Sequence, residues 1–381
     1  DEVPKQSQQE RIEIFQASLN ISPVNLSVIR KLAFQGIPDE PGLRAMYWKL
    51  LLGFLPRDQT LWDKETKNQR QLYQDWVQEL ILDPHQKYAK YIEDNPDYTA
   101  VEDVTLSDHP LSTAVESTWG QHFKDVEMME EIDKDVKRTF PHLHFFNKDG
   151  KVGSTRHYEA LKRILFIYAK LNPGIRYVQG MNEVLGPIYY VCARDVDPSE
   201  YDAAESDAFH CFKNLMGEIR DNFCKTLDHS DLGVTGTMKT FSSLLRETDF
   251  EVWQHLENQQ MNPQFYSFRW ITLLLSQEFD LPEVIQLWDC LFADEARFQF
   301  LLYCCCAMIS CIREILLSNE SFAPNLQYLQ TYPQDIELRT IIQKAIELRD
   351  IRENGAQPKP NPPKEEQESF GSAVLKFFTS Q

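Results

Sequence analysis

Apolar residues recur at helical intervals along most of this chain. Residues 10–19 and 25–34 read as amphipathic helices, and Gly36 with Pro38 marks the stop. Leu43, Met46, Tyr47, Leu50 and Leu51 then fall on one stripe, closed by Pro56. Residues 58–82 follow as a charged amphipathic helix. Residues 83–118 hold Pro84, Pro96 and Pro110, many acids and little periodicity, and read as an irregular acidic excursion. Helix resumes near Val126. Pro141 ends it, because a proline pushes the residue before it out of the α region, so Arg138 lies near that helix's C-terminal end. Residues 147–154 are a loop, and 156–171 are helical with Leu161, Leu165, Tyr168 and Ala169 facing inward. Asn172-Pro173-Gly174 breaks the chain sharply. Tyr177-Val178-Gln179-Gly180-Met181 leads into an apolar helix through Tyr190, which puts Gln179 just after a break and near a helix start.

From 205 to 348 helix follows helix, with breaks expected near Asp228–Gly236, Asn262-Pro263, Pro282, Pro324 and Pro333. There is no strand-rich block and no internal repeat. The expectation is an all-α fold of two packed helical subdomains dividing near residues 200–235. Residues 1–30 form an N-terminal helical extension, and 31–350 form the main domain. The stretch 354–381 is a tail whose alternating prolines and charges leave little to bury. It ends in Phe370, Ala373, Val374, Phe377 and Phe378 at helical spacing, and docking or disorder outranks membrane insertion there.

Composition narrows the classes. Hydrophobic residues make up 42% of 381 positions, enough for a sizeable core, and only 14 are glycine, which favours helices over Gly-rich turns. The net charge of -19, with no Lys/Arg-rich run, argues against nucleic acid as a partner. Residues 1–20 are polar and charged, unlike a secretory signal. The longest uncharged apolar stretch, between Arg297 and Arg313, falls short of the roughly 20 residues a membrane helix needs. None of the eight cysteines forms a C-x-x-C pair, and Cys304, Cys305 and Cys306 sit in an apolar run. That usage points to buried thiols, a reducing compartment and no zinc site.

The chain carries no G-x-x-x-x-G-K-[ST] loop, no H-E-x-x-H and no G-x-S-x-G. His142 and His144 follow a proline and resemble loop residues rather than metal ligands. Two segments stand out. Ile132, Asp135 and Arg138 fall at i, i+3 and i+6 of a helix, where Asp135 and Arg138 are neighbours. By spacing alone they are an ordinary surface ion pair or a guanidinium held ready by its carboxylate. Tyr177-Val178-Gln179 is the other, and its glutamine reads as a helix cap or as a catalytic amide.

Together these segments resemble the TBC domain of Rab GTPase-activating proteins. That family carries I-x-x-D-x-x-R, matched by Ile132, Asp135 and Arg138, and Y-x-Q, matched by Tyr177 and Gln179 and extended here by Gly180 and Met181. Its opening block is matched by Gly36-Ile37-Pro38, Leu43-Arg44 and Trp48, with Gln35 where a basic residue often stands. Arg269-Trp270, Glu278-Phe279 and Leu287-Trp288-Asp289 match its later blocks. The likeness covers roughly residues 30–350, and five blocks in order make it specific. Residues 58–125 are longer than a minimal domain needs and could shape the choice of Rab.

The resemblance implies a protein that is no hydrolase by itself but accelerates GTP hydrolysis on a GTP-loaded Rab small GTPase, in the regulation of vesicle trafficking. Arg138 would be an arginine finger and Gln179 a glutamine finger replacing the GTPase's own. Asp135 would hold Arg138, and Tyr177 would shape the loop. Arg44 and Arg269 would brace helices or touch the partner. GTP, Mg²⁺ and the attacking water would belong to the Rab, so no cofactor is expected in this chain. The expected setting is cytoplasmic, at most peripheral at endomembranes. A non-catalytic, Rab-binding helical adaptor is the alternative.

Overall fold

The computed structural model describes residues 8–81, 118–143, 145–146, 153–224 and 233–354. The acidic excursion up to residue 117, the loop 147–152, His144 and the tail after Asn354 lie outside the described residues. Every regular element within them is helical. The first helices are α1 Gln8–Leu19, α2 Leu26–Phe34, α3 Leu43–Leu51 and α4 Trp62–Leu80. Next come α5 Thr118–Val136, α6 Gly153–Leu171, α7 Met181–Ala193 and α8 Tyr201–Ile219. The rest are α9 Val234–Thr248, α10 Phe250–Asn258, α11 Ser267–Thr272, α12 Leu281–Ala293, α13 Arg297–Cys311, α14 Arg313–Ser318, α15 Phe322–Gln330 and α16 Leu338–Asn354. None of them is long and apolar enough to cross a membrane.

The chain divides into two compact units. One is Thr66–Lys213; the other joins Asp1–Glu65 to Asn214–Gln381. One boundary falls within the expected 200–235 range. The other, at residue 65, was not expected, because periodicity carries no information about contacts between distant segments.

In the discontinuous unit, Asp289 of α12 gathers the N-terminal segment. Its carboxylate accepts the Ile37 backbone N–H at 2.9 Å, Trp48 Nε1 at 2.7 Å and Arg44 Nε at 3.2 Å. The Trp48 and Trp288 rings lie 6.1 Å apart, fully buried. Three N–H donors satisfy a charge that burial alone would penalise heavily. Cys304, Cys305 and Cys306 lie in the stretch of α13 that is buried all round, and burial pushes their thiols well above the ordinary range.

In the continuous unit, α5, α6 and α7 pack on one another. Helices α4, α6 and α8 are joined by buried charge. Glu205 accepts Tyr73 Oη at 2.8 Å and both Arg163 Nε and Nη2 at 2.8 and 2.6 Å. Arg70 grips Asp207 with two bonds of 2.8 Å. Two-pronged arginine–carboxylate pairs fix orientation as well as distance.

Several boundaries differ from expectation. Helix α5 starts at Thr118, before Val126, and ends at Val136 rather than at the proline. Its last turn tightens: Arg138 N–H donates to Asp135 O and Thr139 N–H to Val136 O, both at 3.0 Å. These i→i+3 bonds close the helix before Pro141 is reached. The breaks expected near Pro282 and Pro324 occur, between Thr272 and Leu281 and between Ser318 and Phe322, with each proline standing in the first turn of the next helix, α12 or α15. There a missing N–H leaves nothing unpaired.

Candidate functional site

The site is built from the end of α5 and the turn that precedes α7, both in the continuous unit. Ile132 and Val136 anchor the end of α5 in the core. Asp135, between them in the same turn, is 5% exposed, whereas the Arg138 side chain is 68% exposed. Arg138 Nη2 donates to Asp135 Oδ1 at 2.5 Å, and its Nε to the Lys134 carbonyl at 3.2 Å. Its Nη1 makes no hydrogen bond among the described residues. The guanidinium is thus held from one side and open on the other.

Asp135 uses its second oxygen on the other segment. Tyr177 Oη donates to Asp135 Oδ2 at 2.7 Å. Burial, helped by that bond, pushes the Tyr177 phenol far above its usual range, so it stays a proton donor. One carboxylate therefore grips Arg138 and Tyr177 together.

Two residues beyond Tyr177, Gln179 is exposed and makes no side-chain hydrogen bond among the described residues. It does not cap α7. The cap position is Gly180, at φ 101° and with no side-chain cap bond. That left-handed turn suits glycine because it has no Cβ to clash, and it leaves the glutamine amide outside the helix. Arg176, at φ 63°, bends the same turn from its other end, and its N–H closes on the Asn172 carbonyl at 2.8 Å. A cleft of about 430 Å³ lies nearby along α5 and α6, but its lining ends at Arg176 and includes neither Arg138 nor Gln179.

The four central residues expected from the sequence thus fall on adjoining segments. Arg44 and Arg269 fall in the other unit. Arg44 is drawn in by Asp289, by Asp39 at 3.3 Å and by the Ile37 carbonyl at 2.5 Å. Arg269 grips Glu278 with bonds of 2.7 and 2.9 Å and reaches the Gln330 carbonyl at 2.8 Å. Both brace neighbouring elements. Among the described residues, no three His, Cys, Asp or Glu side chains converge as a metal site requires.

Sequence reasoning missed the layer beneath. Asn182 Nδ2 lies 2.9 Å from Thr139 Oγ1 and 2.9 Å from Glu183 Oε1. Gly186, one turn further along α7, lets the turn after Arg138 approach so closely that an added Cβ would stand 2.6 Å from a Phe140 ring carbon. The signal was present in part: Asn182-Glu183 is a polar pair in an otherwise apolar helix.

Comparison with known proteins shows the family of the chain. A family model described as the Rab-GTPase-TBC domain matches residues 111–317, which hold all four central residues. The human TBC1 domain family member 13 is 41% identical over 90% of this chain and 98% of its own length. The GTPase-activating protein GYP1 of Saccharomyces cerevisiae is 25% identical, over 70% of this chain and 37% of its own. The crystal structure of the Ypt/Rab-GAP domain of Gyp1p superposes with a TM-score of 0.71 at 21% identity, covering 92% of this chain and all of that one, a likeness of fold. With a family model matching residues 111–317 and a relative 41% identical over 90% of this chain, the chain belongs to the Rab-GTPase-TBC domain family.

Proposed function

We infer that this protein is a GTPase-activating protein for a Rab-type small GTPase, and that Arg138 and Gln179 act in trans on the partner's bound GTP. One observation carries the reading: Asp135 holds Arg138 with one oxygen and Tyr177 with the other, while Arg138 and Gln179 stay exposed. A purely structural ion pair would have no need of an unpartnered amide on the adjoining segment.

GTP hydrolysis is limited by charge on the transferring phosphoryl group and by placement of the attacking water. Arg138 would turn its open edge to the phosphoryl oxygens, where a planar, permanently charged fork neutralises developing charge. Asp135 would keep that fork oriented. Gln179 would accept a hydrogen bond from the water through its carbonyl and donate one to the phosphate through its NH₂. GTP and Mg²⁺ arrive with the partner, and this chain contributes side chains only. The same reading places the protein in the cytoplasm, meeting endomembranes at most peripherally, in the control of vesicle trafficking.

The test is single-turnover GTP hydrolysis across a panel of Rab proteins, followed by Arg138→Lys on any Rab that responds. The variant should lose on the order of 10³-fold or more in rate, since lysine keeps the charge but not the fork. Circular dichroism and binding to GTP-loaded Rab should be unchanged. Binding without acceleration of any Rab would make the protein a non-catalytic adaptor.

A further inference from the structure

Asn182 stands directly behind the two segments that present Arg138 and Gln179. It is the second residue of α7 and is 4% exposed. Its amide nitrogen has two hydrogens, and two acceptors lie at 2.9 Å: Thr139 Oγ1, on the turn that carries Arg138, and Glu183 Oε1 on its own helix. The Asp135 carbonyl stands further off at 3.4 Å, as does the Tyr177 hydroxyl from Asn182 Oδ1. Thr139 Oγ1 in turn donates to the Asp135 carbonyl at 3.2 Å. One side chain therefore touches the residue after Arg138 and the residue three before it, and belongs to the helix that starts directly after Gln179-Gly180.

Tyr177 and Asp135 tie the same segments through a second buried bond, and Gly186 packs against Phe140 one helical turn further along α7. Asn182 is a third tie between them. It is also the one whose side chain bonds backbone or side-chain atoms on both sides of Arg138. Displacement of a catalytic group by about 1 Å can cost about 10²-fold in rate, so a tie that sets this separation has leverage on turnover rather than on docking.

We propose that Asn182 is a positioning residue that fixes the Arg138 turn against the Gln179 turn, so that both groups reach one phosphoryl centre together. This rests on the GTPase-activating reading above. Asn182 itself touches no substrate; it acts through Thr139, Glu183 and the carbonyl of Asp135.

The experiment uses the full chain with GTP-loaded Rab. Asn182→Ala should lower kcat by about 10- to 100-fold while KM for the Rab changes by less than about threefold. Thr139→Val removes the acceptor at the other end with little change of shape, and should give the same signature if the alanine variant folds poorly. In an Arg138→Ala or Gln179→Ala background, Asn182→Ala should add almost nothing, because groups acting as a unit are not additive. A residue that merely supports folding would instead lower activity by the same factor in every background. Amide exchange supplies a readout independent of activity: Asn182→Ala should speed exchange at residues 137–140 and 177–180 together. Unchanged exchange at either segment overturns the inference whatever the activity. Full kcat in both Asn182→Ala and Thr139→Val also overturns it and leaves the GTPase-activating reading intact. A wild-type chain that accelerates no Rab defeats that reading instead.

Discussion

Tyr177 and Asp135 pair a phenol with a carboxylate, and burial makes the pairing one-directional: the phenol stays protonated and the carboxylate accepts. Asp135 is therefore a fixed acceptor for both Tyr177 and Arg138, and its value to the site is geometric. The ion pair with Arg138 adds little stability, since the arginine is largely exposed and screened. His210 shows the opposite case in the same unit. Burial among Trp76, Phe209 and α4 holds its imidazole down at about 4, with Nε2 2.9 Å from the Gln69 carbonyl. A base whose folded value lies below its ordinary value of 6.5 stabilises the fold above that value. That contribution is lost as pH falls from about 6.5 towards about 4. At about 1.4 kcal/mol per unit the loss is on the order of 3 kcal/mol. Urea unfolding should therefore show wild type losing that much against His210→Asn between pH 7 and pH 4; a pH-independent difference would contradict the assignment. At this scale the Asp135–Arg138 pair was legible in the sequence, because i,i+3 neighbours on a helix are set locally. Asn182 and Thr139 were not, since 43 residues separate them and only the fold brings them together.

The elements that matter most are short turns between helices rather than the helices themselves. Helix α5 ends two residues before Arg138, and α7 begins two residues after Gln179, so both groups sit where backbone direction changes. Phe140 at φ 45° and Gly180 at φ 101° make those changes possible. The two turns are pressed together at Gly186. Gly186→Ala should drive its Cβ into the Phe140 ring at 2.6 Å and press on the Thr139 methyl at 3.1 Å, displacing side chains of the turn after Arg138. Overpacking of this kind costs about 1–3 kcal/mol, and the displaced arginine should lower kcat well beyond the loss of folded protein. Gly217 is the matched control. It lies in α8 with nothing within 4 Å of an added Cβ, so Gly217→Ala should stabilise the chain by roughly 0.5–1 kcal/mol and leave kcat unchanged. Thermal melts beside single-turnover rates separate the two effects; equal behaviour of the variants would show that the close approach at Gly186 is immaterial. The sequence reading placed these helices well because 3.6-residue periodicity is a local property. It misplaced the end of α5 because i→i+3 bonding in the last turn leaves no mark in the hydrophobic pattern.

On the scale of the whole chain, residues carrying the proposed chemistry are confined to one unit, while Arg44, Arg269 and Asp289 belong to the other. Asp289 gathers Ile37, Arg44 and Trp48 across more than 240 positions of sequence, as the Trp48 bond illustrates with its separation of 241. That closure explains how motifs at opposite ends of the chain serve a single unit. It was legible only as family resemblance, because no spacing rule relates such distant positions. The central claim is that this chain supplies both groups needed for hydrolysis, and the most direct measurement removes the partner's contribution. A responsive Rab whose own switch glutamine is replaced by alanine or leucine is loaded with GTP, and single-turnover hydrolysis is followed with wild type and with Gln179→Ala. Wild type should accelerate the glutamine-less Rab, and Gln179→Ala should cripple hydrolysis on both the normal and the altered Rab while still binding them. If Gln179→Ala stays active on normal Rab and every glutamine-less Rab is inert, Gln179 has no catalytic part and the account is contradicted.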